Sequence, residues 1–157
     1  MPDMLVLLLK LPSLEPVLDE MRDKGIVIRR ALPHEMGPVR TFVEENFEAP
    51  WAYEITVGFA NKPSSIYIAL KEGKVVGFGA YECTYRGYFG PTGVAKNERK
   101  NGVGKALLLA CLWGMREMGY AYAIIGGAGP QDFYAKAVGA TVIPESDPGV
   151  FADPIGQ

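Results

Sequence analysis

Apolar residues recur along the chain at two spacings, and the switch between them predicts a mixed α and β fold. Spacings of three and four residues are typical of helices with one buried face, whereas alternation and short continuous apolar runs are typical of strands. The helical spacing covers residues 13–24, 33–47, 103–118 and 131–138. The strand pattern covers residues 4–11, 26–30, 65–70, 75–84, 87–94, 120–125 and 141–144. The aromatic stretch 48–63 and the tail 145–157 are predicted to be irregular.

Turn signals arrange three of these strands into an antiparallel meander. Lys71-Glu72-Gly73-Lys74 predicts the first hairpin turn, and Arg86-Gly87 predicts the second. Gly90-Pro91 interrupts the third strand of the meander, and because proline cannot donate to a sheet ladder, we expect a β-bulge there. The later strand 120–125 is a continuous apolar run, which is typical of a central parallel strand.

Residues 94–105, which join the third meander strand to the longest helix, are basic and rich in glycine. Gly102 and Gly104 allow backbone N–H groups to converge at the helix start without obstruction by a Cβ atom. A helix N-terminus carries partial positive charge and unpaired N–H donors. Full positive charges are added by Arg99, Lys100 and Lys105. The junction therefore predicts a site for an anion, most naturally a phosphate or pyrophosphate.

Three phosphate-loop patterns can be compared with this junction. A Walker A loop requires Ser or Thr after its Gly-Lys pair, but Ala106 stands there. A dinucleotide fingerprint requires a third glycine where Leu107 stands and an acid at the end of the next strand, which has none. The third pattern is Arg/Gln-x-x-Gly-x-Gly/Ala between a strand and a helix. Arg99, Gly102 and Gly104 match it position by position.

This loop resembles the cofactor loop of the GNAT superfamily of N-acetyltransferases, which holds the pyrophosphate of acetyl-CoA. A second motif, Phe133-Tyr134-Ala135-Lys136-Ala137-Val138-Gly139, is similar to the Phe-Tyr-x-Lys-x-Gly segment of that family, and the order of elements from residue 26 onward is similar too. The resemblance implies an α/β (α+β) fold. Its central sheet is mixed and mostly antiparallel, is split at the cofactor site and is flanked by helices.

Two features depart from the family pattern. Residues 1–25 form a predicted strand-helix extension outside the family core, packed on a single acetyltransferase-like domain over residues 26–157. The family usually has a seventh strand, and after Ile143 only residues 149–152 could supply one. The tail, the N-terminal strand or a partner chain therefore completes the sheet. Because an exposed apolar edge invites pairing, the apolar strand 4–9 and the short C-terminal edge predict a homodimer.

The resemblance implies roles for two groups of residues. Backbone hydrogen bonds to the pantetheine arm of acetyl-CoA would come from Thr92, Gly93 and Val94. The pyrophosphate would be held by Arg99, Lys100, Asn101, Gly102, Val103, Gly104 and Lys105. The tyrosine that matches the family's position near the cofactor sulfur is Tyr134, which is the candidate general acid toward the leaving thiolate.

The general base and the acceptor site depend on weaker signals. The strand before the loop has no carboxylate or histidine, so Glu82 on the neighbouring strand is the candidate base, with His34 and a water relay as alternatives. Candidates to line the acceptor site are the aromatic residues Trp51, Tyr53, Tyr85 and Tyr88. The predicted reaction is acetyl transfer to a primary amine of a small molecule, an amino sugar being one option. The alternative is a catalytically silent acyl-CoA-binding or partner-binding module.

Composition narrows the partners and the setting. The chain has 157 residues, 48% of them hydrophobic, which suits one globular domain. The net charge of −2 argues against a nucleic-acid surface, and the apolar stretch 4–9 is too short to span a membrane. Cys83 and Cys111 are predicted to be small core residues, and with a single histidine no metal site is expected. These features favour a reducing, cytoplasmic setting.

Overall fold

The computed structural model describes residues 1–156, which contain seven strands and five α-helices. The strands are β1 (Met4–Leu7), β2 (Ile26–Arg30), β3 (Ile66–Lys71), β4 (Lys74–Tyr81), β5 (Tyr88–Val94), β6 (Tyr122–Ile125) and β7 (Thr141–Val142). The helices are α1 (Glu15–Asp23), α2 (Met36–Asn46), α3 (Ala49–Ala60), α4 (Val103–Glu117) and α5 (Gln131–Val138). The strands form one open sheet in the order β2-β3-β4-β5-β6-β1-β7. The mixed, mostly antiparallel sheet flanked by helices confirms the predicted fold class.

Successive side chains of β4 point to opposite faces of the sheet, and each face is covered by helices. Phe78 and Ala80 are fully buried against α2 and α3 on one face. On the other face a Cβ atom at Gly79 would lie 3.0 Å from the sulfur of Cys111 on α4. The absence of side chains at this position lets α4 approach the sheet closely, so the apolar helix is buried along most of its length.

The register between β4 and β5 slips at the predicted bulge. Gly79 pairs with Thr92 and Tyr81 pairs with Phe89, so one residue of β4 faces two residues of β5. Those two residues are Gly90 and Pro91. The slip confirms the bulge and turns the second half of β5 out of the regular ladder.

A split opens in the sheet beside this bulge. β5 and β6 run parallel, as predicted, and pair at Tyr88 with Ile124 and at Phe89 with Ile125. β6 ends there, whereas β5 continues to Val94. The second half of β5 therefore has a partner strand on one side only, and its other edge faces a cleft.

The N-terminal strand completes the sheet. β1 lies between β6 and β7 and pairs antiparallel with both, and Met4 and Val6 are buried. The tail forms a short 3-10 helix over Gly149–Phe151 instead of a strand. Of the three ways to complete the sheet, the structure thus uses the N-terminal strand. β1 is interior, so it offers no exposed apolar edge to a second copy, and the homodimer stays a prediction.

The prediction was wrong for residues 48–63, where the structure has the helix α3. Glu48 is extended, Pro50 occupies the first turn where a missing N–H costs nothing, and Ala52, Ile55 and Phe59 are buried at helical spacing. Prolines and aromatic residues hid this spacing. The predicted first strand is also shorter, because Leu8–Lys10 turn into a 3-10 helix.

Three further observations complete the fold. Burial raises the pKa of both cysteine thiols, to about 12 for Cys83, as suits small core residues. No helix within residues 1–156 has the length and apolarity needed to cross a membrane. Gln157, the last residue of the predicted tail and domain, lies outside the described residues.

Candidate active site

The loop before α4 presents backbone donors at a helix end. Gly102 precedes the helix in the left-handed conformation, with φ of 85°, which favours glycine. The first hydrogen bond of the helix runs from Ala106 N–H to the Gly102 carbonyl at 3.1 Å. The N–H groups of Val103, Gly104 and Lys105 come before it and project from the helix end. This geometry, with the positive end of the helix dipole, suits an anion.

One ion pair and several hydrogen bonds anchor this loop. Glu98 is buried and pairs with Lys71 Nζ at 3.0 Å. Lys24 Nζ donates to the Asn101 carbonyl at 2.9 Å, and Arg99 Nε donates to the Val94 carbonyl at 3.1 Å. The loop is therefore tied to the residue that follows α1, to β3 and to β5. The predicted residue Asn101 serves this anchoring, since its amide also donates to Glu98 at 3.4 Å.

The split between β5 and β6 forms a cleft of about 340 Å³. Five predicted cofactor residues line it: Thr92, Gly93, Val94, Gly104 and Tyr134. The other six belong to the adjoining loop and first turn of α4 and do not line the cleft. Arg99, Lys100 and Lys105 are exposed there, whereas the Val103 side chain is buried in the core. The structure thus brings the predicted cofactor residues together along one path from α4 into the sheet.

Glycine is required on the wall of the cleft. A Cβ atom at Gly93 would overlap the ring of Phe47, which packs behind β5. The Thr92 hydroxyl donates a hydrogen bond to the Phe78 carbonyl on β4 at 3.0 Å. The wall beside these residues therefore consists largely of backbone, which suits main-chain hydrogen bonding to an extended ligand.

Tyr134 lies in the first turn of α5 and lines the opposite side of the cleft. It is only 6% exposed and packs edge-on against Phe89, with ring centroids 6.4 Å apart, and against Phe133 at 5.2 Å. Burial raises the pKa of Tyr134 to about 12. The phenol therefore keeps its proton at neutral pH, as a proton donor must.

A second cavity, of about 410 Å³, adjoins the cleft and is called the acceptor cavity below. It shares wall residues with the cleft, namely Met1, Trp51, Phe89, Gly90, Pro91, Gly126 and Gly127. Three carboxylates line it: Glu48, Glu54 and Asp147. Among the described residues on its wall there is no lysine or arginine, and the Met1 α-ammonium group pairs with Asp147 at 3.0 Å. Two carboxylates, Glu48 and Glu54, therefore remain for a cationic ligand.

One of the four predicted acceptor aromatics lines this cavity. This residue is Trp51, whose ring packs on the ring of Phe47 with the two ring centroids 5.5 Å apart. Tyr53 is 62% exposed and Tyr85 is also exposed, and neither lines the cleft or the cavity. Tyr88 lies behind the wall and donates its hydroxyl to Asp3 at 3.3 Å, where burial and that carboxylate raise its pKa.

The candidate base Glu82 lies apart from the cleft. Its carboxylate accepts the Gly87 N–H at 2.6 Å and lines a separate cavity of about 390 Å³ with Arg30 and Tyr81. His34 is exposed in the turn before α2 and lines neither site cavity. The structure therefore places neither candidate base in the cleft beside Tyr134.

Two acids that the sequence did not single out shape the site. Glu54, on α3, accepts a hydrogen bond from the Thr84 hydroxyl inside the acceptor cavity. Asp3 is 5% exposed and accepts the Gly127 N–H at 2.8 Å, which fixes the turn after β6. A sequence signal for the position of Glu54 did exist, because the apolar residues around it have the helical spacing that predicts α3. For Asp3 no local signal exists, since its partner is 124 residues away.

Comparisons with known proteins agree with this geometry. A family model described as "Acetyltransferase (GNAT) family" matches residues 29–140. No curated protein matches the sequence. Among solved structures, a glucosamine N-acetyltransferase region of a fungal multi-domain β-N-acetylglucosaminidase has a TM-score of 0.73 at 17% identity, covering 90% of this chain and 19% of that chain.

Two bacterial structures are also similar. A GCN5-related N-acetyltransferase from Sphaerobacter thermophilus has a TM-score of 0.68 at 21% identity, covering 90% of this chain and 48% of that one. YhbS from Escherichia coli, crystallised with CoA, has a TM-score of 0.50 at 18% identity, covering 61% of this chain and 59% of that one. This chain spans less than half the length of the first two proteins. With the family model covering most of its sequence, the chain belongs to the acetyltransferase (GNAT) family.

Proposed function

We propose that the protein transfers an acetyl group from acetyl-CoA to a primary amine of a small molecule. One observation carries the proposal: a single continuous path leads from the α4 N-terminus through the split in the sheet, past Tyr134, into a cavity lined by carboxylates. The first part suits an anionic, extended ligand, and the last part suits a cation. The two ligands would meet where the cleft and the acceptor cavity share their wall.

The residues at the helix end fit the pyrophosphate of the acyl carrier. The N–H groups of Gly104 and Lys105 project from the positive end of α4, and the exposed side chains of Arg99 and Lys100 add charge. The unpaired edge of β5 beyond Phe89 would hydrogen-bond the pantetheine arm. Bound acetyl-CoA supplies an acetyl group already activated as a thioester. Of the chain's own groups, Tyr134 would protonate the departing sulfur.

Two tests separate this function from a silent acyl-CoA-binding module. Acetyl-CoA should raise the melting temperature, because it binds only the folded state. CoA release, followed with a thiol reagent, should then depend on one class within a panel of monoamines, diamines and amino sugars. No melting shift at millimolar acetyl-CoA would contradict the cofactor assignment. A shift without CoA release from any amine would favour the silent module.

Several finer features belong to the same proposal. An amino sugar belongs in the panel because the glucosamine N-acetyltransferase region is similar in fold, although Trp51 is the one predicted aromatic on the cavity wall. A cytoplasmic location and a homodimer stay predictions. Sedimentation equilibrium at tens of micromolar protein would test the homodimer, and monomer alone would contradict it.

A further inference from the structure

The carboxylates of the acceptor cavity are not equivalent. Asp147 is exposed and already pairs with the α-ammonium group of Met1 at 3.0 Å. Glu48 is exposed at its rim, in the turn before α3. Glu54 is half-buried on the wall and one turn of helix beyond Trp51. Of these three carboxylates, Glu54 is the one that is partly buried and that pairs with no cation within residues 1–156.

Thr84 fixes the orientation of the Glu54 carboxylate. Its hydroxyl donates to Glu54 Oε1 across 30 residues of sequence, and within residues 1–156 this is the hydrogen bond that the carboxylate makes. Because the bond uses one oxygen, Oε2 stays available to a ligand. A carboxylate held on one oxygen and presented on the other can both bind an ammonium and accept its proton.

We infer that Glu54 binds the protonated acceptor amine and removes its proton, so that the acceptor is a small amine that carries a positive charge at neutral pH. The inference rests on the proposed function, since it assigns a role within acetyl transfer. It also supplies the base that Glu82 and His34, by their positions, do not.

Acetyl transfer by these groups conserves protons and electrons. Glu54 takes one proton from the ammonium and passes it to water. The neutral amine nitrogen then gives its electron pair to the acetyl carbon, forming the C–N bond as the C–S bond breaks. Tyr134 donates its proton to the departing sulfur and recovers a proton from the new amide nitrogen. One acetamide, one thiol and one released proton result.

Glu54→Gln tests the inference, because it removes the charge and the basicity while keeping the shape. With the best amine of the panel we expect kcat/KM to fall roughly a hundredfold to ten-thousandfold, as is usual for loss of a general base. Glu54→Asp should restore part of the rate. Glu45→Gln is the matched control, since Glu45 is exposed on α2 outside both cavities, and it should leave the rate unchanged.

Two readouts separate the role of Glu54 from a general structural effect. A weakly basic amine such as trifluoroethylamine is already neutral at neutral pH, so Glu54→Gln should slow its acetylation far less. In a Trp113→Phe background Trp51 is the only tryptophan, and its fluorescence should report amine binding directly. Glu54→Gln should weaken the binding of the charged amine in that assay.

The outcomes distinguish this inference from the proposed function. If wild type acetylates an amine and Glu54→Gln keeps its rate, only the role of Glu54 is overturned. If Glu54→Gln slows charged and neutral amines equally and leaves fluorescence titrations unchanged, the role is overturned as well. If wild type releases no CoA with any amine, the proposed function fails, and the inference fails with it.

Discussion

The two halves of the candidate site are built in opposite ways. The cofactor half comes from one contiguous stretch, residues 94–105, together with the strand before it and the helix after it. The acceptor half gathers the first residues of the chain, α3, the bulge of β5, the turn after β6 and the tail. A contiguous site depends on local backbone geometry, whereas a composite site depends on the whole sheet being assembled correctly. The two halves should therefore respond differently to substitution.

The largest expected effect falls on the cofactor half. Gly102→Glu places a side chain and a negative charge at a position with φ of 85°, beside the donors that would bind the pyrophosphate. The variant should lose the melting shift produced by acetyl-CoA altogether. Circular dichroism should show an intact fold, since Gly102 is exposed. A full acetyl-CoA shift in this variant would contradict a local cofactor site.

Tyr134→Phe tests the place where the halves meet. The change removes one hydroxyl, so general acid catalysis should be lost and kcat should fall roughly a hundredfold to ten-thousandfold. The melting shift with acetyl-CoA should remain. Steady-state kinetics and thermal melting measure the two effects. A kcat within a few-fold of wild type would reduce Tyr134 to a packing residue against Phe89.

The part of the core under β1 and β6, which supports the acceptor half, can be destabilised by substitutions near the N-terminus. Leu8 is 0% exposed in the core under β1 and β6, and Leu9 is 58% exposed, so the two form a matched pair. Leu8→Ala should lower the free energy of unfolding by about 2–5 kcal/mol through the cavity it leaves. Leu9→Ala should change it by less than about 0.5 kcal/mol. Chemical denaturation measures both, and equal effects would contradict the interior position of this segment.

Asp3 links this N-terminal part of the sheet to the turn after β6, which lines both cavities. Asp3→Ala leaves the Gly127 N–H without its acceptor, which should lower the free energy of unfolding by about 1–3 kcal/mol. It should also raise KM for the amine more than it reduces the acetyl-CoA melting shift. Asp3→Asn keeps an acceptor oxygen and should lose less. Identical behaviour of wild type and Asp3→Ala would remove Asp3 from the site.

The smallest expected effect falls on Glu35, which lines neither the cleft nor the acceptor cavity and so serves as a reference for both halves. The Arg29 guanidinium and the Leu32 N–H hold the pKa of Glu35 at about 2, below its ordinary value of 4.5. Because the folded-state pKa is lowered, this contribution to stability is complete above pH 4.5 and is lost as the pH falls toward 2. Melting temperatures across that window should fall less steeply in Glu35→Gln. Equal slopes would contradict the pairing.

The same contrast explains what the sequence could predict. The helix-end geometry of residues 94–105 was predictable because Arg99, Gly102 and Gly104 act through their own backbone and charge, whereas their cofactor role stays a prediction. The bulge at Gly90-Pro91 follows from proline chemistry. Glu54 was not predictable, because its orientation depends on Thr84, and the sequence does not reveal which distant hydroxyl will face a carboxylate. The place of β1 between β6 and β7 is likewise a long-range pairing that no local pattern specifies.

The helix α3 was missed for a local reason instead. Its buried residues Ala52, Ile55 and Phe59 have helical spacing, but Pro50 and Gly58 are usually turn signals. Pro50 is tolerated because it lies in the first turn, and a Cβ at Gly58 would crowd Ile66, so this glycine lets α3 pack on β3. Tertiary packing thus overrode the local signals, and Glu54 was carried to the site with the helix.

In the proposed function an acyl carrier and an amine meet at the split between β5 and β6. A crystal structure of the protein with CoA bound would show whether they do. We expect the pyrophosphate on the N–H groups of Gly104 and Lys105, and the thiol sulfur beside the Tyr134 hydroxyl at the entrance to the acceptor cavity. Pyrophosphate bound elsewhere, for example in the cavity beside Arg30, or a sulfur remote from Tyr134, would contradict it.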